Sequence, residues 1–367
     1  MIIGYLAKEL SSGHGTARYA RSLAEAMSAD NDIMVLVATD SQNETKLDNV
    51  YKVLPGSIFS LSAQIKSFFQ VLRFLRHCDI VHALVEQYGP GAALACHLLG
   101  IPFTMTLHGT YAVPPKKFSL KKIMMRYVYW RIDISTTGSL YTEKKVREIV
   151  PMGKCRFIPN GVNLEKFHPL LEVKKKNNLL TVGMLKSRKG ADLVVEALGL
   201  LKNRFPDLTF DIVGDQDEYS FVDNLKSRIR TLGLVGRVIF HECIDDTELL
   251  KLYNQAKIFV LAARDSGGHF EGFPMVFYEA NACGTPIITT KGFGSEYVIK
   301  NGYNGYMVEQ DNPREIADRI SEILSDDLLA QSMYTHGIEE ARKHTWEEIA
   351  KKLNLFYSDA ISIHAKR

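Results

Sequence analysis

Short, continuously apolar runs alternate with amphipathic stretches along this 367-residue chain, and that rhythm restricts the fold more than any other feature. IIGYLA at the start is followed by 16–27, where Ala20, Leu23, Ala24 and Met27 recur at helical spacing, and then by IMVLVA. These three read as a β-α-β unit. IVHALV (80–85), FTMTL (103–107) and IDIST (132–136) continue the series. After Asn160 and Gly161 it restarts with LLTVGML, FDIVG, RVIF, IFVLA and PIITT, helical segments lying between them. Strands that are apolar throughout must be covered on both faces, so parallel sheets flanked by helices are implied. Two such series predict an α/β chain of two doubly wound domains, which suits this length at roughly 150 residues per domain. The boundary is expected in FIPNGVN (157–163), giving domains 1–162 and 163–344, with an amphipathic segment, 345–367, expected to return to the first.

Composition removes several classes. With 46% hydrophobic residues and no long polar tract, the chain is not disordered. A net charge of +3 is too mild for nucleic acid, although residues 1–150 alone carry a surplus of 5 positive charges. Five scattered cysteines without a CxxC pair read as free thiols in a reducing compartment. The stretch 91–107 is apolar enough to resemble a span, but His97, Gly100 and Pro102 break it into a helix, a turn and a buried strand. No leader-like segment opens the sequence, so a cytoplasmic location is expected.

Chemistry concentrates in HFEGFPMVFYEANACGTPIITT (269–290). Glu271 ends a glycine-rich loop, Pro274 suits the first turn of a helix, and Glu279 follows inside that helix. Backbone amides near Met275 and Val276 at the helix start suit a phosphate. One carboxylate before the helix and one within it suit hydroxyl groups on either side of a diphosphate. Taken alone, two glutamates eight residues apart are no more than a capped surface helix. A second stretch, LLTVGMLKSRKGADLVVEAL (179–198), places Lys186, Arg188 and Lys189 between a strand and a helix, where open α/β sheets bind ligands.

Together these segments resemble the retaining glycosyltransferases of family 4, which have the GT-B fold. EGFPMVFYEANACGTPII carries the resemblance most specifically. GHGTARYARSLAEAM, DIVHA (79–83), TLHGT (106–110), FIPNGVNLEKFHP (157–169), FDIVGDQ and NGYNGYMVE (301–309) follow in the order of the family, and HTWEEIAKKLNLFY resembles its returning helix. The resemblance implies two Rossmann-like domains facing a cleft, with a nucleotide-diphosphate sugar held mainly by the second. It implies that Glu279 takes the ribose hydroxyls and Glu271 the sugar hydroxyls, with Gly272, Phe273, Pro274, Met275 and Val276 around the donor. Lys189 and Arg188 would meet the diphosphate, His108 would sit near the transferred sugar, and Gly15 would let the first loop approach it. His82, within an apolar strand, reads as structural.

One position departs from the pattern. Where the family usually has arginine five residues before the phosphate-binding lysine, this chain has Met184, whose thioether neither donates a hydrogen bond nor neutralises charge. Arg188, Lys186 and Arg264 are the cations left to replace it. The resemblance also implies retention of anomeric configuration, the leaving phosphate taking the acceptor's proton. It implies no metal and no cofactor beyond the donor; no Asp-x-Asp pair or His/Cys cluster is evident. Asp245 and Asp246 read as a helix cap.

Between Glu86 and Asp133 there is no acidic residue, while Lys116, Lys117, Lys121, Lys122, Arg126 and Arg131 all fall there. Leu120, Ile123, Met124, Tyr127 and Val128 follow helical spacing, with Tyr129 and Trp130 adding aromatic surface. Such a helix suits an anionic membrane face, which makes 116–131 a candidate contact and a lipid-linked saccharide a candidate acceptor. The competing readings are a GT-B phosphorylase or epimerase, and a binding protein that has lost catalysis.

Overall fold

The computed structural model describes residues 1–56 and 59–366. Its Cα positions divide into two compact units, 1–161 with 346–367, and 162–345.

The first unit begins with β1 (Ile2–Leu6), α1 (Gly15–Met27), β2 (Asp32–Ala38), β3 (Val50–Leu54) and α2 (Leu61–Phe74). It continues through β4 (Ile80–Ala83), α3 (Gly89–Leu99), β5 (Phe103–Leu107), α4 (Leu120–Arg131), β6 (Ser135–Thr137), α5 (Leu140–Arg147) and β7 (Cys155–Phe157). All seven strands are parallel, in the order β3-β2-β1-β4-β5-β6-β7. The order reverses between β1 and β4, and a doubly wound sheet opens its ligand crevice at the carboxyl ends of such neighbours. β4 and β5 are buried at every position, as strands covered on both faces must be. The span-like stretch resolves as α3, a left-handed Gly100 cap (φ 66°) and β5. No helix among the described residues is long and apolar enough to cross a membrane.

Two strands differ from the expected ranges. The 80–85 run pairs only to Ala83, after which Glu86–Tyr88 form a 3₁₀ turn. The 132–136 run starts pairing only at Ser135, because Ile132 caps α4 and Asp133 is buried beneath the sheet edge. The Asp133 carboxylate accepts the Phe103 amide at 3.0 Å and faces His364 at 3.1 Å.

The second unit comprises β8 (Lys176–Val182), α6 (Ala191–Leu201), β9 (Thr209–Val213), α7 (Tyr219–Thr231), β10 (Val238–His241) and α8 (Asp246–Gln255). Then come β11 (Ala256–Leu261), α9 (Val276–Ala282), β12 (Ile287–Thr290), β13 (Gly305–Val308), α10 (Pro313–Ser325) and α11 (Asp327–Arg342). Its six parallel strands run β10-β9-β8-β11-β12-β13, the same doubly wound order. Asp245 caps α8 by accepting the Glu248 amide at 2.8 Å, the role its sequence implied.

Helix α12 (Trp346–His364) belongs to the first unit and packs on α1. Its Tyr357 joins a buried polar chain. The Tyr357 hydroxyl lies 3.1 Å from that of Tyr5 and 2.7 Å from His82 Nδ1, while His82 Nε2 lies 2.8 Å from the Thr106 hydroxyl. Thr106 also meets Thr136 at 2.9 Å and Tyr19 at 3.2 Å. His82 is thus a satisfied core histidine. Burial holds its ring neutral, at about 3.

Candidate active site

In the second unit, β8 ends at a glycine, Gly183, and Ser187–Lys189 form a 3₁₀ turn closed by Gly190 in the left-handed region (φ 72°). A Cβ at Gly190 would run into the Ala262 carbonyl, so both the conformation and the space require glycine. The turn aims Arg188 and Lys189 at Glu271. Arg188 pairs with Glu271 Oε1, and Lys189 Nζ lies 3.2 Å from the same atom. Glu271 is buried, and a buried carboxylate needs such partners.

The three candidate cations divide cleanly. Arg264 donates to the Ser187 carbonyl at 2.9 Å and pairs with Asp192 and, at 3.2 Å, with Asp311. Its guanidinium therefore fastens the 187–189 turn to α6 and to the loop after β13. Lys186 has no ion pair among the described residues. Met184, at the departing position, is half-buried. Arg188 is the second cation beside Lys189.

Helix α9 starts later than expected. Pro274 lies ahead of the cap rather than in the first turn, Met275 is the N-cap, and the helix has seven residues. The reason is local: the Pro274 carbonyl accepts Phe277 N–H at 3.3 Å, a tight turn that precedes regular winding. The Met275 and Val276 amides come before the first intrahelical bond, as at any helix start. The preceding loop is tied down where Gly294 N–H donates to the Gly272 carbonyl at 3.0 Å, and a side chain at Gly294 would displace that carbonyl. Phe273 packs 5.6 Å from the Tyr278 ring.

Glu279 is buried inside α9, and Tyr253 on α8 donates its phenol hydrogen to Glu279 Oε2 at 2.8 Å. Tyr253 is itself fully enclosed, edge-on to Phe167 at 5.7 Å and stacked on Phe259 at 5.9 Å. Sequence reasoning missed Tyr253. It sits in the helix that Asp245 caps, and only its buried-face position hinted at more than packing.

In the first unit, His108 follows β5. Its ring Nε2–H donates to the Leu84 carbonyl at 2.8 Å, and the Tyr19 ring stands edge-on at 4.8 Å. Burial lowers its pKa to about 4, so the ring is neutral near pH 7. Gly15 is the exposed first residue of α1. Glu86, also missed in the sequence, accepts the His108 backbone N–H at 2.5 Å and is buried.

Two family models match this chain: glycosyltransferase family 4 over residues 13–166, and glycosyl transferases group 1 over residues 163–344. The chain therefore belongs to the family 4 glycosyltransferases, and its two parallel-sheet units are those of the GT-B fold. It is 27% identical over 284 residues to an uncharacterized glycosyltransferase of Methanocaldococcus jannaschii, covering 77% of this chain and 75% of that one. With the D-inositol 3-phosphate glycosyltransferase of Corynebacterium diphtheriae it shares 29% over 310 residues, 77% of this chain and 71% of that protein. In fold it matches Anabaena HepE, solved in complex with UDP-glucose, with a TM-score of 0.78 at 17% identity, covering 98% of this chain and 100% of that one. Sucrose-phosphate synthase from Thermosynechococcus elongatus matches with a TM-score of 0.77 at 19% identity, covering 99% of each chain.

Proposed function

We propose that this glycosyltransferase moves a hexosyl unit, with retention of configuration and without a metal, from a nucleotide-diphosphate sugar to a saccharide or lipid-linked saccharide. The observation that carries the reading is the convergence of Arg188 and Lys189 on Glu271, eight residues before the Tyr253-held Glu279. Two cations on one buried carboxylate, with a second buried carboxylate in the helix that follows, match a ligand with a doubly charged centre and hydroxyl groups. Structures of HepE with UDP and UDP-glucose support a donor of this class, as does the GDP-mannose dependence in the name of a Mycolicibacterium smegmatis relative, 26% identical over 218 residues.

Breaking the glycosyl–phosphate bond places positive charge on the sugar and negative charge on the leaving diphosphate. Lys189 and Arg188, with the amides of Met275 and Val276, oppose the latter. A diphosphate carries more charge than one carboxylate and competes for both cations, which leaves Glu271 to accept hydrogen bonds from the sugar hydroxyls. Glu279 accepts from the ribose. Each charge-assisted contact contributes about 1.5–3 kcal/mol, so Arg188 is strong enough to offset the methionine at 184. His108, a neutral ring, is suited to hydrogen-bond a sugar hydroxyl. The acceptor hydroxyl attacks the face the phosphate leaves, and its proton passes to that phosphate.

For the acceptor, α4 supplies a basic helix with exposed Phe118 just before it (86%) and Trp130 near its end (69%). Ile65 and Phe69 on α2 and Leu98 on α3, helices packed successively beside α4, are exposed as well. Apolar side chains among lysines suit the surface of an anionic bilayer, which would place the enzyme on the cytoplasmic face and its acceptor among lipid-linked saccharides of a surface polysaccharide. Calorimetric titration with nucleoside diphosphates and their hexose conjugates, with chelator present, tests the donor assignment. Binding of one base is expected, and no binding across the panel would overturn it.

A further inference from the structure

The 187–189 turn carries both cations proposed for the diphosphate, yet a single 3₁₀ turn supports itself poorly. Within it, Lys189 N–H donates to the Lys186 carbonyl at 2.8 Å and Gly190 N–H to the Ser187 carbonyl at 3.2 Å. Further support comes from outside. Glu218 Oε2 accepts the Ser187 N–H at 3.3 Å. The carbonyls of Ser187 and Arg188 both accept from one residue, Arg264. Its Nε donates to Ser187 O at 2.9 Å, and its main-chain N–H donates to Arg188 O at 2.9 Å.

The rest of the Arg264 fork joins this turn to its surroundings. One terminal nitrogen pairs with Asp192 in the first turn of α6, and the other lies 3.2 Å from Asp311 beyond β13. Those two carboxylates balance the guanidinium charge, so its contribution to a bound anion is geometric more than electrostatic. The same residue opens the loop that delivers Glu271. Just before it, the Ala263 carbonyl accepts the Thr290 hydroxyl, which fixes the start of the loop to β12. Just after it, Asp265 N–H donates to Gln310 Oε1 at 3.2 Å, and Ser266 and His269 exchange main-chain hydrogen bonds at 3.0 and 3.1 Å. Both sides of the Arg188–Glu271 and Lys189–Glu271 contacts are therefore tied to Arg264. The cations are held through the carbonyls of 187 and 188, and Glu271 through a hydrogen-bonded loop.

We infer that Arg264 is a positioning residue of the donor site: it sets the spacing between the Arg188–Lys189 pair and Glu271 without itself touching the donor. That this is a donor site rests on the transferase reading above; the hold on the turn does not. Arginine is required because a planar fork meets a carbonyl and two carboxylates at once. A lysine keeps the charge but carries one nitrogen on a flexible stem, which cannot span the three partners. Arg264→Lys therefore separates geometry from charge.

The test combines calorimetry with UDP and GDP, using whichever the wild type binds, and amide hydrogen exchange on the ligand-free full chain. Arg264→Lys and Arg264→Gln are both expected to bind the nucleotide at least tenfold more weakly. Amides 187–190 should exchange at least tenfold faster in both, while those of β9 keep their wild-type rates, which excludes a general loss of fold. Adding Arg188→Ala to Arg264→Gln should cost clearly less than the product of the two single effects, because one acts through the other. Adding Glu279→Gln instead should give the full product. Wild-type affinity in Arg264→Lys, unchanged exchange at 187–190, or a full product with Arg188→Ala overturns the inference; the last would make Arg264 an independent contact. If the Arg264 variants do not fold, Asp192→Asn, which loosens the same fork from α6, is expected to show the same pattern at about threefold, and wild-type behaviour there overturns it too. A wild type that binds neither nucleotide would sink the transferase reading, and the exchange rates alone would then decide whether Arg264 holds the turn.

Discussion

The Tyr253 phenol donates to Glu279 Oε2 at 2.8 Å, across two helices that are separated in sequence by β11. That hydrogen bond ties a buried carboxylate of α9 to a side chain of α8. Tyr253, wedged between Phe167 and Phe259, has almost no freedom to follow it. The aromatic cluster thus holds the phenol that orients the carboxylate, and on the proposed reading the ribose meets the face left over.

Tyr253→Phe should weaken nucleotide binding by roughly five- to tenfold, about 1–1.5 kcal/mol for one hydrogen bond, with little change in kcat. Glu279→Gln should cost more, because the ionised acceptor itself is lost. Calorimetry on both variants checks the order, and wild-type affinity in Glu279→Gln would remove the ribose role.

Lys189→Ala should lower kcat/KM about 100-fold or more, as expected for a contact that strengthens when the diphosphate leaves. Arg188→Ala should be nearly as damaging, and Met184→Arg should partly rescue it by restoring a second cation from another position. Steady-state transfer rates for the three proteins decide the point. A harmless Arg188→Ala would return the missing charge to Lys186.

The buried histidines give the fold a pH dependence of defined sign. Desolvation lowers His82 to about 3 and His108 to about 4, whereas the unfolded chain titrates near 6.5. Between roughly pH 4 and 6.5 the unfolded state binds more protons, so stability falls as pH drops through that window. Glu86, raised to about 7, acts oppositely: its protonated form is favoured in the fold, and its contribution fades as pH rises from about 4.5 to 7. Two histidines outweigh one carboxyl. Denaturant unfolding at pH 5, 6 and 7 should show the loss on the acid side, and Glu86→Gln should steepen it.

The α4 surface should bring the protein down with sedimenting vesicles that contain anionic lipid, and not with zwitterionic ones. Phe118→Ser with Trp130→Ser should abolish that binding while leaving nucleotide affinity intact, and salt should weaken it in the wild type. Binding of the double variant equal to wild type would exclude this face.

The parallel sheets were legible because strands buried on both faces leave uninterrupted apolar runs, and α/β alternation admits few other arrangements. Glu271, Glu279 and Lys189 stood out through the resemblance of their segments to family motifs, not through spacing alone. What spacing cannot carry is partnership. Tyr253 lies 26 residues before Glu279, and nothing in LYNQ marks its phenol. Glu86 entered the sequence reading only as the last acid before the basic stretch, because its burial goes with the 3₁₀ turn after β4 and not with its neighbours in sequence. The start of α9 slipped for a similar reason: proline favours a first turn in general, but here its carbonyl closes a tighter one.

The Tyr5–Tyr357–His82 chain also sets an order of events during synthesis. The hydroxyls of the first strand and of α12 meet across 352 residues of sequence. The second unit, contiguous from 162 to 345, is complete in sequence before the α12 segment leaves the ribosome. The first unit must wait with Tyr5, His82 and Tyr19 uncovered until a helix made after the whole of the second unit arrives to close it. A long-range closure of this kind folds slowly, so the nascent protein carries an exposed aromatic seam through much of its own translation.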